Sequence, residues 1–351
     1  MQSKFIYSVA AAAMLFAAPS FAQDNETSIE QSGSNNTTDI DQTGTGAMAG
    51  DIDLPGPSGG RPMIQNGDNN NLDIEQGNGS KAGLGSSSDN FGNVKRVGIE
   101  QVGNWNSLTI DQEKGGEVHQ AYQEDRSGNA SADGGNTATV TQSGGSGSLN
   151  VGGITQIYTG DGSEGSSNDL TILQDQSTVG STGARIANGT FGAGGGVWQE
   201  GSANAMTLNQ IDAGSSRIRF ATQLGAGNDT VITQQNGGVN QIRTAEQIGD
   251  DNTIDVLTDG SDNNNTGGFT GDAASVGVSD GNVLQSGNTN TVDLDTFGDD
   301  NSFGFNQSGM DNSIVGTQDG NQNQVAVSQS GDGNAAVFSQ VGNGNNLGIN
   351  Q

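Results

Sequence analysis

The sequence predicts an all-β fold, a β-solenoid of stacked strand–turn–strand repeats, and three observations carry that prediction. First, from Gln285 to Gln351 one phrase, Q-x-G-x-x-N followed by five residues and another Gln, recurs every eleven residues. A fixed short period is the mark of a repeat array. Second, apolar residues alternate with polar ones inside each phrase, and a period of two means strand. Third, a glycine stands at a fixed place between strands, where a tight turn needs positive φ.

The regular block supplies the parts list. Its asparagines are Asn290, Asn301, Asn312, Asn323, Asn334 and Asn345, and its glutamines Gln285, Gln307, Gln318, Gln329, Gln340 and Gln351, with Thr296 in one slot. Its turn glycines are Gly287, Gly298, Gly309, Gly320, Gly331 and Gly342. Counting from Asn as zero, the fourth residues include Leu294, Val327 and Ile349, while Gly316 vacates one apolar slot. Positions zero, two, four and six share a face, so Asn, two apolar residues and Gln point inward together. Stacking turns at ~4.8 Å pairs the backbone and sets like upon like. An unpartnered buried amide costs roughly 1–3 kcal/mol, so inward Asn and Gln make sense only as ladders.

The same N-x5-Q segment recurs upstream, at Asn25–Gln31, Asn36–Gln42, Asn70–Gln76, Asn106–Gln112, Asn136–Gln142, Asn150–Gln156, Asn168–Gln174, Asn204–Gln210 and Asn228–Gln234, with Asn252–Thr258 a variant. Its fourth residues include Ile40, Ile74, Ile110, Val140, Ile172, Leu208 and Ile232. Pairing strands through the Q-x-G-x-x-N links gives about eleven two-strand turns and a half turn. Segments 43–58, 77–94, 121–135, 157–167, 175–192 and 259–278 break the period. They are rich in Gly, Ser, Asp and Ala, and are expected to project as loops from one edge. Arg61, Arg219 and Arg243 would point inward on strict counting, which predicts a shifted register there. The chain thus divides into residues 1–22, an irregular repeat region 23–284 and the regular block 285–351.

Residues 1–22 show Lys4, an apolar run from Val9 to Ala18 and the small-x-small triplet Ser20-Phe21-Ala22, the pattern of a secretory signal peptide. No other segment is apolar for long enough to span a bilayer as a helix, so the mature chain is expected to be exported and not membrane-embedded. Composition pulls against a conventional globule: hydrophobic residues are 30%, glycines number 59 and the net charge is −29. Leu, Ile, Val and Phe make up roughly 19%, near the level at which high charge means disorder. A solenoid, with its thin core, reconciles this composition with the period. There is no cysteine, so disulfides play no part. Asp39, Asp41, Asp73, Glu75, Asp111, Asp255, Asp293 and Asp295 fall at outward positions. This acidic coat opposes association and disfavours nucleic acid as a partner.

The phrases Gln329-Ser-Gly-Asp-Gly-Asn334-Ala-Ala-Val-Phe-Ser-Gln340 and Asn136-Thr-Ala-Thr-Val-Thr-Gln142 resemble the curlin repeat of bacterial curli subunits. The resemblance implies a secreted subunit of extracellular amyloid fibres, serving adhesion and biofilm matrix. It implies partners too: copies of itself, a surface nucleator and an outer-membrane secretion pore. An uncovered strand edge is a template for another chain, so the block 285–351 is expected to be where polymerisation proceeds head to tail. The alternative is a monomeric, calcium-dependent β-solenoid adhesin or surface-layer protein. Gly225-Ala-Gly-Asn-Asp229-Thr-Val231 resembles one calcium-binding nonapeptide of the RTX rolls, but only a single copy is present. No metal ligands and no cofactor are assigned. Catalysis is not expected either: His119 is the single histidine and sits outside any nucleophile motif.

Overall fold

The computed structural model describes residues 29–42, 48–50, 63–78, 81–83, 90–91, 94–95, 99–114, 116–117, 121–127, 135–144, 149–150, 153–160, 167–176, 184–186, 196–213, 217–238, 240–264 and 267–351. The signal-peptide segment 1–22, His119 and Arg61 lie outside them. Two parallel sheets face each other across a thin core. The front sheet has 11 strands, running from Thr37–Gln42 through Asn136–Gly144 and Thr253–Asp259 to Ala335–Val341. The return sheet stacks from Ile29–Ser32 through Ala121–Asp125 and Gln241–Ile248 to Asn346–Asn350. Each turn of chain contributes one strand to each sheet, so neighbours in a sheet are one full turn apart.

The register follows the repeat. Thr291–Phe297 pairs with Ser313–Asp319, setting Val292 against Ile314 and Leu294 against Gly316. Burial alternates as the period requires: Val292 and Leu294 are buried, Asp293 exposed. Ile74, Ile110, Val140, Ile172, Leu208, Ile232, Leu294 and Val327 are fully buried; Ile40 and Ile349, in the outermost rungs, pack against the same core and are partly exposed. The slot vacated by Gly316 is filled from the next rung: a Cβ there would run into the ring of Phe338. That ring stands 6.3 Å from Phe305, which stacks 5.8 Å from Phe303.

Several segments expected to project as loops do not. Ala121–Asp125, inside 121–135, is a full member of the return sheet, pairing with Ile99–Val102 and Ile154–Tyr158. Ile157 and Tyr158, at the start of 157–167, belong to the latter strand and are buried. The short strands Met48–Gly50, Lys81–Gly83 and Ala184–Arg185, within three other insertions, and Gly116–Glu117 and Leu149–Asn150, outside any predicted insertion, stack on one another as a third parallel ladder. It joins the return sheet through Arg185 opposite Arg217. Asn150–Gln156 is accordingly not one strand: Asn150 lies in the third ladder and Gln156 in the return sheet. The joint explains the arginines. Ile218 and Ala221, like Ile242 and Ala245 below them, are buried three residues apart rather than two. The intervening residue shift turns Arg219 partly and Arg243 fully outward, avoiding the cost of a buried unpaired cation.

The insertion 259–278 also departs from expectation. Its described part carries a short helix, Gly271–Ser275, that lies on the outer face of the last return strands. A Cβ on Gly304 would meet Ser279 O and the Phe269 ring, and one on Gly348 would meet Asp272 O.

Candidate functional site: two amide ladders

Every rung of the return sheet contributes one glutamine side chain to a single row, buried in all but the two outermost rungs. Twelve of them form one unbroken chain of hydrogen bonds, in which each Nε2 donates to Oε1 of the next. It begins Gln31 to Gln65 (2.5 Å), Gln65 to Gln101 and Gln101 to Gln123 (both 2.8 Å). It continues Gln123 to Gln156 (2.9 Å), Gln156 to Gln199 and Gln199 to Gln223 (both 2.8 Å). Gln223, Gln247, Gln285 and Gln307 each donate at 2.9 Å to the following member, and Gln329 to Gln351 at 2.8 Å. The second amide hydrogen reaches a front-strand carbonyl, as from Gln307 to Thr291 O (3.0 Å). Each buried amide is thereby satisfied.

A second ladder runs at the corner before each front strand. Asn36, Asn70, Asn106, Asn136, Asn168, Asn204, Asn228, Asn252, Asn290, Asn312 and Asn334 are linked in sequence through Oδ1 of one and an amide of the next. Its direction is opposite: here the later residue donates to the earlier one. Nδ2 also caps the turn of a neighbouring rung, as from Asn290 to Gly309 O (2.9 Å) and Asn312 to Gly331 O (2.8 Å). The corner before each late return strand carries a shorter ladder, Asn240, Asn263, Asn301, Asn323 and Asn345, built through backbone N–H donors.

The front-sheet glutamines are less continuous. Gln142 to Gln174 (2.6 Å), Gln174 to Gln210 (2.8 Å), Gln210 to Gln234 (3.0 Å) and Gln318 to Gln340 (2.9 Å) are bonded. Thr258 and Thr296 interrupt the row. Thr296 reaches Gln318 at 3.4 Å, whereas Gln234 Nε2 and Thr258 Oγ1 have no partner among the described residues.

The turns that present these amides need two left-handed residues. Gly287, Gly298, Gly309, Gly320, Gly331 and Gly342 all have φ between 99° and 122°. A Cβ on Gly287 would also overlap the carbonyl oxygen of Gly309. The residue just before most of the ladder asparagines is left-handed as well, among them Asn35, Asn69, Trp105, Ala203, Asp251, Thr289, Asp300, Asp311 and Gln322. That second requirement escapes the sequence, since only the Asn and Asp members signal it.

The predicted ladder residues Asn290, Asn301, Gln307, Asn312, Gln318, Asn323 and Gln329 are buried, Gln340 nearly so. Asn334 and Asn345 are partly exposed and Gln351 is exposed, because they lie in the last rung. Gln123, Asn240 and Asn263 are ladder members that the sequence reading does not single out. Gln123 sits in a segment read as an insertion, and Asn240 and Asn263 lack the N-x5-Q spacing. On the outer face, burial and mutual repulsion raise the carboxyl of Asp255, next to Asp293, Asp295 and Asp229, above its ordinary range; Asp295 and Asp229 are raised by burial too. Among the described residues, no three His, Cys, Asp or Glu gather as a metal site, and no helix is long and apolar enough to cross a membrane.

The fold and the ladders define a parallel β-solenoid whose rungs are joined by interior amides. Residues 320–351 match the family model of the curlin associated repeat. No curated protein sequence matches the chain.

Proposed function

We propose that this chain is a structural subunit of a secreted, curli-like amyloid fibre, which grows by stacking one copy's rungs onto another's. The observation that supports it most is that the rungs are chemically alike: each joins the next through the same glutamine and asparagine donors and acceptors. Gln351 accepts from Gln329 Nε2 (2.8 Å) and its own Nε2 bonds to Ala335 O (3.2 Å). Asn334 and Asn345 donate to Asn312 and Asn323 in the same way (both 2.9 Å). A rung added there would meet the same donors and acceptors that join every internal pair. Among the described residues the strand Ala335–Val341 pairs on one side only, with Ser313–Asp319, and an unpaired strand edge invites addition. The match at 320–351 covers this same region. In this reading the buried Asn, Gln and aliphatic columns are the assembly machinery, and the acidic outer face restrains premature association. A nucleator and an outer-membrane secretion pore complete the system, and adhesion and biofilm matrix are the roles of the fibre.

The test uses residues 23–351, desalted from denaturant into calcium or chelator, followed by thioflavin fluorescence and fibre diffraction. Growth in both buffers, with ~4.8 Å and ~10 Å reflections, is expected. A stable monomer that orders only with calcium would overturn the reading and favour a calcium-dependent adhesin. Deleting 285–351 is expected to abolish elongation; an unchanged rate would remove the C-terminal block from the mechanism.

A further inference from the structure

One return strand is interrupted in its middle. Asn264 N–H donates to Asn301 O (2.7 Å), and its Oδ1 accepts from Phe303 N–H (2.8 Å). Seventeen positions later Gly281 N–H donates to Phe303 O (2.8 Å). The chain thus leaves and rejoins the sheet beside the same residue. Between these points, 267–280 forms a strap along the outer face, towards Asn346–Asn350. Thr270 donates through N–H and Oγ1 to Gln324 Oε1 (both 2.8 Å). Asn346 donates from Nδ2 to Thr270 O and accepts from Ala273 N–H (both 2.8 Å). Beneath the strap the outward positions of three successive return strands are Gly304, Ala326 and Gly348, a furrow only small residues leave open. Ala273 and Ala326 are fully buried by the contact.

The return end of the strap holds an unusual group. Asp280 is 4% exposed, and neither carboxylate oxygen has a partner among the described residues. The Nδ2 of Asn264, at the other end of the excursion, also lacks one. The charged group acting on Asp280 is the Arg243 guanidinium of the strand Gln241–Ile248, which forms no ion pair with it; among the described residues no second carboxylate acts on it. A buried carboxylate without hydrogen bonds is costly when charged and far less so when protonated. Of the two unsatisfied groups at the ends of the excursion, only the Asp280 carboxylate can be neutralised by a proton.

We propose that the strap is a proton-operated latch: it lies on the return sheet when Asp280 is protonated and lifts when Asp280 ionises, uncovering the Gly304–Ala326–Gly348 furrow and releasing the outer support of Asn346–Asn350. The sign follows from linkage. Burial pushes the docked carboxyl from 3.8 up to about 7, with Arg243 opposing. A group whose pKa is higher docked than free favours docking fully below its free value. Docking then weakens by about tenfold per pH unit between the two values and is flat above the higher one.

The experiment is amide hydrogen exchange on the folded full chain from pH 4.5 to 7, each rate normalised to its intrinsic value at that pH. Protection of Ala273, Ala274 and Val276 is expected to fall at least tenfold across that range, while Thr291–Phe297 stays constant. Asp280→Asn should hold the strap amides protected throughout. Gly348→Leu, whose side chain would collide with the strap from an outward position, should leave them unprotected throughout with the ladders intact. A flat wild-type profile, an unchanged slope in Asp280→Asn, or full strap protection in Gly348→Leu would each overturn the proposal. None of these readouts depends on fibre growth, so failure of the latch and failure of the fibre reading are separate results.

Discussion

Replacing Gln307 by Leu tests whether the return-sheet glutamine ladder holds the rungs together. Gln307 is wholly buried; it accepts from Gln285 Nε2 (2.9 Å) and donates to Gln329 Oε1 (2.9 Å) and Thr291 O (3.0 Å). Leucine has a similar volume and leaves no large cavity, so the effect reports on the amide itself. The change strands one N–H of Gln285, whose other hydrogen still reaches Thr253 O (2.9 Å), and the Oε1 of Gln329. At ~1–3 kcal/mol per orphaned buried group, less the gain from apolar burial, local destabilisation should be about 3 kcal/mol. A repeat array opens locally, so the suitable assay is hydrogen exchange over the strands Asn282–Ser286, Ser302–Ser308 and Gln324–Ser330 rather than one global midpoint. Three kcal/mol corresponds to a loss of protection on the order of a hundredfold. The front sheet supplies the control: Thr296 makes only a 3.4 Å contact to Gln318 in a row already broken at Thr258. Thr296→Val should therefore cost under about 1 kcal/mol. If Gln307→Leu proved no worse than Thr296→Val, the ladder would be a consequence of stacking and not a cause of it.

Gly316→Leu should destabilise the last rungs by about 2–4 kcal/mol, because the Phe338 ring already occupies that space; the double variant with Phe338→Ala should recover part of the loss, and independent effects in urea denaturation would refute the pairing. Gly287→Ala should cost more than about 2 kcal/mol, since φ of 120° and the overlap with Gly309 O both oppose a Cβ; Gly333→Ala, with φ of 70° and open space, should cost about half as much. The carboxyls of Asp255, Asp295 and Asp229 are raised in the folded chain. Folded and stacked states therefore favour the protonated form, and lowering pH from 7 towards 4.5 should shorten the assembly lag in thioflavin assays. The triple variant Asp255→Asn, Asp293→Asn, Asp295→Asn should assemble faster at pH 7 and show a weaker pH dependence; equal lag times would remove the carboxylates as a brake.

The inward face was legible because it is chemically monotonous. Asn, aliphatic, aliphatic and Gln at even positions leave no other strand register that buries the apolar pair, and the glycine in each link marks the turn. What escaped reading lacks such a signature. Gly116–Glu117 and Leu149–Asn150 are too short for alternation to show, so the third ladder emerges only from the stacking of such short strands on one another. Ala121-Tyr-Gln-Glu-Asp125 keeps the inward Gln123 but has no glycine two residues after it, and its strand hides inside an apparently irregular segment. The left-handed residues Trp105, Ala203 and Thr289 carry no chemistry that predicts positive φ; the turn imposes it and the ladders on either side sustain it. The strap is held by Gln324 and Asn346, 54 and 76 residues from Thr270, a separation that no local pattern encodes.

The same monotony that makes the ladders strong makes them undiscriminating. Slipping the stack by one full turn would lay Gln on Gln along the return-sheet ladder and Asn on Asn at the corner before each front strand again. The unique register of this chain must therefore come from the features that do not repeat. Phe338 fits where Gly316 leaves room; the strap fits where Gly304 and Gly348 leave room; the third ladder is confined to the earlier rungs and ends where Arg217 and Gln241 join the return sheet. Each of these costs something in a slipped stack, through a clash, an empty slot or an unpaired short strand, and each lies in an insertion or at a departure from the consensus. Irregularity and regularity thus divide the work: the ladders supply cohesion between any two rungs, and the departures decide which rungs those are. In the proposed fibre no covalent link sets the order between two copies, and the return-sheet glutamine ladder is common to every rung of that sheet, so the contact between copies would draw on those amides first.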